Sequence, residues 1–210
     1  MNKIADYDTL DYDYSTYWKK REYEHGSEQI VLNKLLKEKA GARFIDIGGS
    51  YGRLTDLYYD KYKESVIVDY SLKTLQNNFK FLMDKYPNIH LIAANAYYLP
   101  FKDNSFDGGL MVRVLHHIEK PQEYFKEAKR IFTDNATYIQ EFANKTHVKA
   151  VIKSIIKGDL SIFDNKPYQQ PDKRNNEGAR EGSQVPFLNY TTSWISDTLS
   201  SYGFKIERKI

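Results

Sequence analysis

The chain of 210 residues contains no cysteine. That removes disulfides, thiolate nucleophiles and cysteine-ligated metals together. Proline and glycine are sparse, at 6 and 11 residues, which excludes collagen-like and low-complexity architectures. No apolar run approaches the roughly 18 residues a transmembrane helix needs, and the mean hydropathy is −0.66. The opening stretch, Met1 to Asp8, lacks the apolar segment of a secretory signal, so the expected compartment is cytoplasmic. A net charge of +3 is too small to announce a nucleic-acid partner by itself.

What is present is a globular composition, 41% apolar and 28% charged, long enough for one domain with a real core. The positive excess is local. Residues 144–190 hold eight Lys/Arg against five Asp/Glu and account for the whole +3. Tyrosine is abundant at 18 residues, and Tyr7, Tyr12, Tyr14, Tyr17 and Tyr23 all fall within the first 25. Amphipathic rings suit a half-wet contact surface, so residues 1–25 are expected to form an arm packed on the domain.

From residue 26 the pattern alternates. A helix is expected from Gly26 to about Ala40, a strand over 43–47, and a helix carrying Leu54, Leu57 and Tyr58. A strand over 66–69, a helix over 72–86 with Leu75, Phe79 and Leu82 on one face, and strands over 89–94 and 106–114 come next. A helix over 121–132 and a strand over 136–142 complete the series. Strands separated by helices of this length imply βαβ units, right-handed crossovers and a mostly parallel sheet.

The alternation breaks at residue 144. Val148, Val151, Ile152, Ile155 and Ile156 recur at helical spacing, with Lys149, Lys153 and Lys157 on another face. Three readings fit this basic amphipathic helix: a lid packed on the domain, a cover over an apolar substrate, or a membrane-surface contact. Only the last requires the lysines, and solvated lysines are ordinary, so the lid is preferred. Residues 169–184 read as a polar loop, 191–202 as a helix ended by Gly203, and 204–210 as a closing strand. The expected division is an arm (1–25), a core (26–143), an insertion or lid (144–190), and a final helix and strand (191–210).

The most informative stretch is Asp46-Ile47-Gly48-Gly49-Ser50-Tyr51-Gly52, after a strand and before a helix. Glycines there permit unusual backbone angles and close approach of a ligand, at the carboxyl end of a strand where open α/β sheets bind ligands. A dinucleotide fingerprint would need glycines at 48, 50 and 53, but positions 50 and 53 are Ser50 and Arg53. No phosphate-binding Gly-Lys-Ser/Thr is present. The frame Asp46-x-Gly48-x-Ser50-x-Gly52 resembles motif I of the class I S-adenosylmethionine-dependent methyltransferases, with Ser50 in place of the middle glycine. Three further segments resemble the same family. Asp69 lies 23 positions after Asp46, and Asn95-Ala96 stands where the family has Asp-Ala. Leu99-Pro100-Phe101-Lys102-Asp103-Asn104-Ser105-Phe106-Asp107, followed by His116-His117, is similar to its small-molecule branch.

The resemblance implies a Rossmann-like doubly wound sheet, order 3-2-1-4-5 plus a closing strand. It implies S-adenosylmethionine as cofactor, S-adenosylhomocysteine as product, and methyl transfer to a small organic acceptor. Asp46 would hold the glycine turn and the cofactor's amino end, with Gly48, Gly49, Ser50, Tyr51 and Gly52 giving close backbone approach. Asp69 would bind the ribose, Tyr70, Asn95 and Ala96 the adenine, and Arg113 the methionine moiety through its backbone. Thr133-Asp134-Asn135-Ala136 replaces the family's Pro-Gly-Gly turn. The family's seventh strand is missing beyond Ile210, so the chain reads as naturally short or truncated, with an exposed edge that would favour a homodimer.

No metal spacing accompanies His116 and His117, and no metal is expected. One of the pair is a candidate base toward the acceptor. Tyr14, Tyr17 and Arg21 are candidates on the substrate side. An RNA acceptor, served by the basic 144–190 segment, is an alternative that predicts steep salt dependence. A protein that holds the cofactor without turnover is a second alternative.

Overall fold

The computed structural model describes Trp18 and residues 21–169 and 187–210. Its elements are α1 (Glu22–Leu36), β1 (Gly41–Ile47), β2 (Tyr62–Asp69), α2 (Leu72–Lys85), β3 (Ile89–Ala93) and β4 (Phe106–Met111). There follow α3 (Pro121–Ile131), β5 (Phe132–Gln140), α4 (Val148–Lys157), β6 (Tyr168–Gln169), β7 (Leu188–Asn189) and α5 (Thr192–Ser201). The described residues form two compact units, one from 18–112 with 130–140, the other from 113–129 with 141–209.

The first unit holds a five-stranded sheet in the order β3-β2-β1-β4-β5, parallel throughout. The order turns back at β1, which has β2 on one side and β4 on the other. Phe44 on β1, Ile67 on β2 and Leu110 on β4 are all fully buried. Under the sheet, Phe44 and Leu110 pack with Leu32 and Leu36 of α1 and with Leu54, Leu57 and Tyr58. Ile67 packs with Leu75 and Leu82 of α2 and with Tyr86 and Ile89. Ile45, Ile47, Val66 and Val68 alternate to the opposite face and are equally buried. Such two-sided burial is why these strands read as continuous apolar runs.

The segment resembling the family between residues 99 and 107 serves as scaffold. Arg130 donates to Leu99 O (3.0 Å), Phe101 O (2.7 Å) and Asp103 Oδ1 (2.8 Å). Asp107 Oδ2 accepts the backbone N–H groups of Ala42 (2.7 Å) and Arg43 (2.9 Å), tying the start of β4 to the start of β1.

In the second unit, Lys145 is buried and donates to Asp164 Oδ1 (2.5 Å), Asp164 O (3.0 Å) and Lys166 O (3.1 Å). It pins the chain that leaves α4. Tyr190 stacks on Trp194 with ring centroids 4.9 Å apart and donates its N–H to Ala143 O at 2.8 Å.

Several sequence expectations need correction. The helix expected through Leu54, Leu57 and Tyr58 is a single 3-10 turn at Thr55–Leu57. β2 begins at Tyr62, which leaves no room for more, although all three apolar residues are buried as expected. Phe79 is exposed, because Thr74 and Asn78 rather than Phe79 flank the buried stripe of α2. Thr133 to Ala136 is not a turn but lies inside β5, where Phe106↔Phe132 is followed by Gly108↔Thr137 and the extra residues bulge. Residues 204–210, expected as a closing strand, form none. Four of those seven residues are charged and stay at the surface. α4 is a helix as expected, and none of its residues is buried. Most of the arm, apart from Trp18 and residues 21–25, and most of the 169–184 loop lie outside the described residues.

Candidate functional site

β1 delivers the glycine turn to the carboxyl edge of the sheet. Gly48 and Gly49 donate N–H bonds to Val68 O on β2, at 2.7 and 3.2 Å, and Gly52 donates to Gly49 O at 2.9 Å. Gly48, Ser50 and Gly52 all take left-handed backbone angles, φ 78°, 51° and 77°. At position 52 a side chain is disfavoured twice, since a Cβ would also lie 2.6 Å from Leu82 Cδ2. Gly49 has no such angle, but a Cβ there would lie 2.7 Å from Asp46 Cγ. The alternation of left-handed residues therefore matches the Asp46-x-Gly48-x-Ser50-x-Gly52 frame, with serine accepting the strain at its middle position.

Two carboxylates organise this turn. Asp69, at the end of β2, accepts the N–H of Ser50 at Oδ2 and the N–H of Ser71 at Oδ1, both at 2.9 Å. Asp46 points inward and is buried. Its Oδ2 accepts the hydroxyl of Tyr58 at 3.0 Å, and Tyr58 in turn lies 3.2 Å from Thr55 Oγ1. Burial pushes the Asp46 carboxyl up to about 7, against the Tyr58 hydrogen bond and the Arg53 charge, which lower it.

Arg53 follows the last glycine of the turn and is the centre of a cluster that no sequence spacing revealed. Its guanidinium pairs with Glu28 of α1 at 2.5 Å, both side chains being largely buried. It also meets His25 Nδ1 at 2.7 Å and lies over the Trp18 ring at 3.9 Å. Burial first, and then the Arg53 charge, hold the His25 pKa below its usual value. His25 thus has a structural context that its isolated place in the sequence did not suggest.

The other expected residues fall as follows. Tyr51 is partly exposed on the turn, and Tyr70, directly after β2, exposes its ring. Asn95 and Ala96 follow β3, and Asn95 Oδ1 accepts the N–H of Tyr97 at 2.9 Å. Arg113 takes φ 60°, and its N–H is held by Glu141 Oε2 at 2.7 Å. Glu141 follows β5 directly, and nothing in the sequence singled it out. The rings of His116 and His117 lie with centroids 4.0 Å apart in one 3-10 turn, gathered on Phe187 at 4.3 and 5.8 Å. Arg21 stands at the position before α1 without a side-chain capping bond and pairs with Glu24 at 2.8 Å. Tyr14 and Tyr17 lie outside the described residues. Among the described residues no three metal-binding side chains converge.

The chain can now be set beside known proteins. Residues 45–139, from β1 to β5, match the model of the methyltransferase domain family. An uncharacterized protein of Methanocaldococcus jannaschii is 25% identical over 201 residues, 95% of this chain and 75% of that protein. The demethylmenaquinone methyltransferase of Paenarthrobacter aurescens is 30% identical over 93 residues, 44% of this chain and 35% of that enzyme. Among solved structures, an S-adenosylmethionine-dependent methyltransferase of Thermotoga maritima, a possible histamine N-methyltransferase, superposes with a TM-score of 0.64. It covers 95% of this chain and 80% of its own at 20% identity, which is a likeness of fold.

Proposed function

We propose that this chain is a class I S-adenosylmethionine-dependent methyltransferase that methylates a small organic acceptor by in-line displacement. The observation that carries the cofactor half is the coupling of Asp69 to the left-handed turn at Ser50. The acceptor class is supported by the relative whose name gives demethylmenaquinone, a small molecule, as its substrate.

The residues present fit the cofactor chemically. A carboxylate offers about four acceptor positions on two oxygens, which suits the two adjacent hydroxyls of a ribose, and backbone donors fix its plane. The exposed ring of Tyr70 and the Asn95-Ala96 edge would receive the adenine, and the turn from Gly48 to Gly52 would receive the remainder by close backbone approach. Asp46 would act from beneath, holding the turn through Tyr58. Bound S-adenosylmethionine would supply an electrophilic methyl carbon, its sulfur keeping the bonding pair as S-adenosylhomocysteine forms.

The protein's work is then alignment and exclusion of water. A base is needed only where the acceptor must lose a proton, and His116 or His117 would take it at a ring nitrogen. The test is release of S-adenosylhomocysteine on incubation with S-adenosylmethionine and a panel of phenols, quinols, amines and thiols. Acceptor-dependent release, lost in Asp69→Ala, is expected. Release with tRNA alone, falling steeply with salt, would replace this reading by the RNA-modifying one.

A further inference from the structure

α4 is a well-built helix with its apolar side turned outward. His147 caps its start, Nδ1 accepting the N–H of Ala150 at 3.3 Å. Gly158 ends it at φ 68°, with Gly158 N–H bonded to Ile155 O (3.0 Å) and Asp159 N–H to Ser154 O (2.9 Å). The chain beyond it is pinned by Lys145. Yet no residue of the helix is buried. Its partly covered positions are Ala150, Val151 and Ser154, two of them small. Val148, Ile152, Ile155 and Ile156, with Leu160 and Phe163 just beyond, are each between 54% and 80% exposed. A ten-residue helix is marginal alone in water, and helices in globular proteins bury such a stripe. Here the small residues face the protein and the large ones face out.

The charges beside that stripe narrow what covers it. Lys149, Lys153 and Lys157 follow one another at i, i+4 along one flank, and α4 contains no acidic residue. A second copy fits poorly. A ten-residue helix is about 15 Å long, so its outer face falls well short of the roughly 800 Å² per partner of a stable interface. A twofold pairing would also bring the lysine rows together. An anionic bilayer complements both features, because the isoleucines can enter the acyl boundary while the lysine stems reach the headgroups. We infer that α4 docks this protein reversibly on an anionic phospholipid surface through Val148, Ile152, Ile155 and Ile156, with Lys149, Lys153 and Lys157 as its electrostatic flank. This interaction is independent of the acceptor's identity and of cofactor binding.

The test is flotation of the full chain with vesicles of phosphatidylcholine, alone or with 30% phosphatidylglycerol. Three proteins are compared: wild type, Ile152→Glu/Ile156→Glu, and Lys149→Gln/Lys153→Gln/Lys157→Gln. All the substituted positions are exposed, so both variants should keep the wild-type circular dichroism and melting midpoint. Wild type should float with the anionic vesicles far better than with the neutral ones. The lysine variant should lose about fivefold per lysine, roughly 100-fold in all, and the isoleucine variant should not float. Three results would each overturn the inference. These are no flotation of wild type with anionic vesicles, flotation of the isoleucine variant equal to wild type, or a wild-type dimer in solution that the isoleucine variant dissociates.

Discussion

Ser50 donates its backbone N–H to Asp69 Oδ2 at 2.9 Å while holding a left-handed φ of 51°. The residue that departs from the family's glycine is thus held in glycine's conformation by the carboxylate expected to bind the ribose. The left-handed angle costs an ordinary side chain about 1 kcal/mol, and a charge-assisted hydrogen bond to a carboxylate offsets it. Ser50→Gly should therefore leave the fold intact and raise the melting midpoint slightly, since glycine's larger unfolded-state entropy cancels part of the gain. Ser50→Val, β-branched and ill-suited to a positive φ, should destabilise. Thermal melts of the three proteins compare them directly, and a wild-type midpoint for Ser50→Val would remove the strain from this account.

Asp46 gives a prediction with a definite sign. Its carboxyl moves from an ordinary 3.8 to about 7 in the folded chain. The folded state therefore holds the proton more tightly than the unfolded one. The stability this contributes is complete below about pH 4 and is lost as pH rises through about 7. The full span corresponds to about 4 kcal/mol. Asp46→Asn keeps an oxygen for Tyr58 and carries no charge. Urea denaturation of both proteins from pH 4 to 8 should show the variant gaining on wild type as pH rises. Parallel curves would contradict the assignment.

Arg53 and Glu28 form a pair whose side chains are only 12% and 13% exposed. Breaking one side of such a pair typically costs 3–5 kcal/mol, so Glu28→Gln should cost about 3 kcal/mol in chemical denaturation. The same change should alter the surroundings of Trp18, over which Arg53 lies. In a Trp194→Phe background Trp18 is the remaining tryptophan, and its emission should shift to longer wavelength. An unmoved spectrum would detach the arm's anchor from the turn.

Glu141 holds the N–H of Arg113, itself at a left-handed φ of 60°. Glu141→Ala should cost about 2 kcal/mol, whereas Glu141→Gln, which still presents an oxygen, should cost less than half as much. Equal losses in the two variants would mean that packing rather than this bond is at stake.

The parts of this molecule that were legible in the sequence are those written in periodicity and local spacing. Ile45, Ile47, Val66 and Val68 announced buried strands because both faces of the sheet are covered. The frame from Asp46 to Gly52 announced the turn because left-handed angles restrict residue choice at alternate positions. What was not legible joins single residues far apart in the chain. Arg53 meets Glu28, His25 and Trp18, and buried Lys145 gathers Asp164 and Lys166, without any motif. The bulge at Thr133 to Ala136 read as a turn because Asp134 and Asn135 are turn residues, and register with β4 overrode that preference. The helix α4 was legible in its periodicity, but periodicity does not say which way the apolar stripe faces.

The most direct test of the central claim is calorimetric titration of the protein with S-adenosylmethionine and S-adenosylhomocysteine, beside NAD, in wild type and Asp69→Ala. Micromolar-range binding of both sulfur ligands, no binding of NAD, and loss of at least tenfold in affinity in the variant are predicted. Failure of the folded wild-type chain to bind either sulfur ligand, or binding indifferent to Asp69, would contradict the account at its centre.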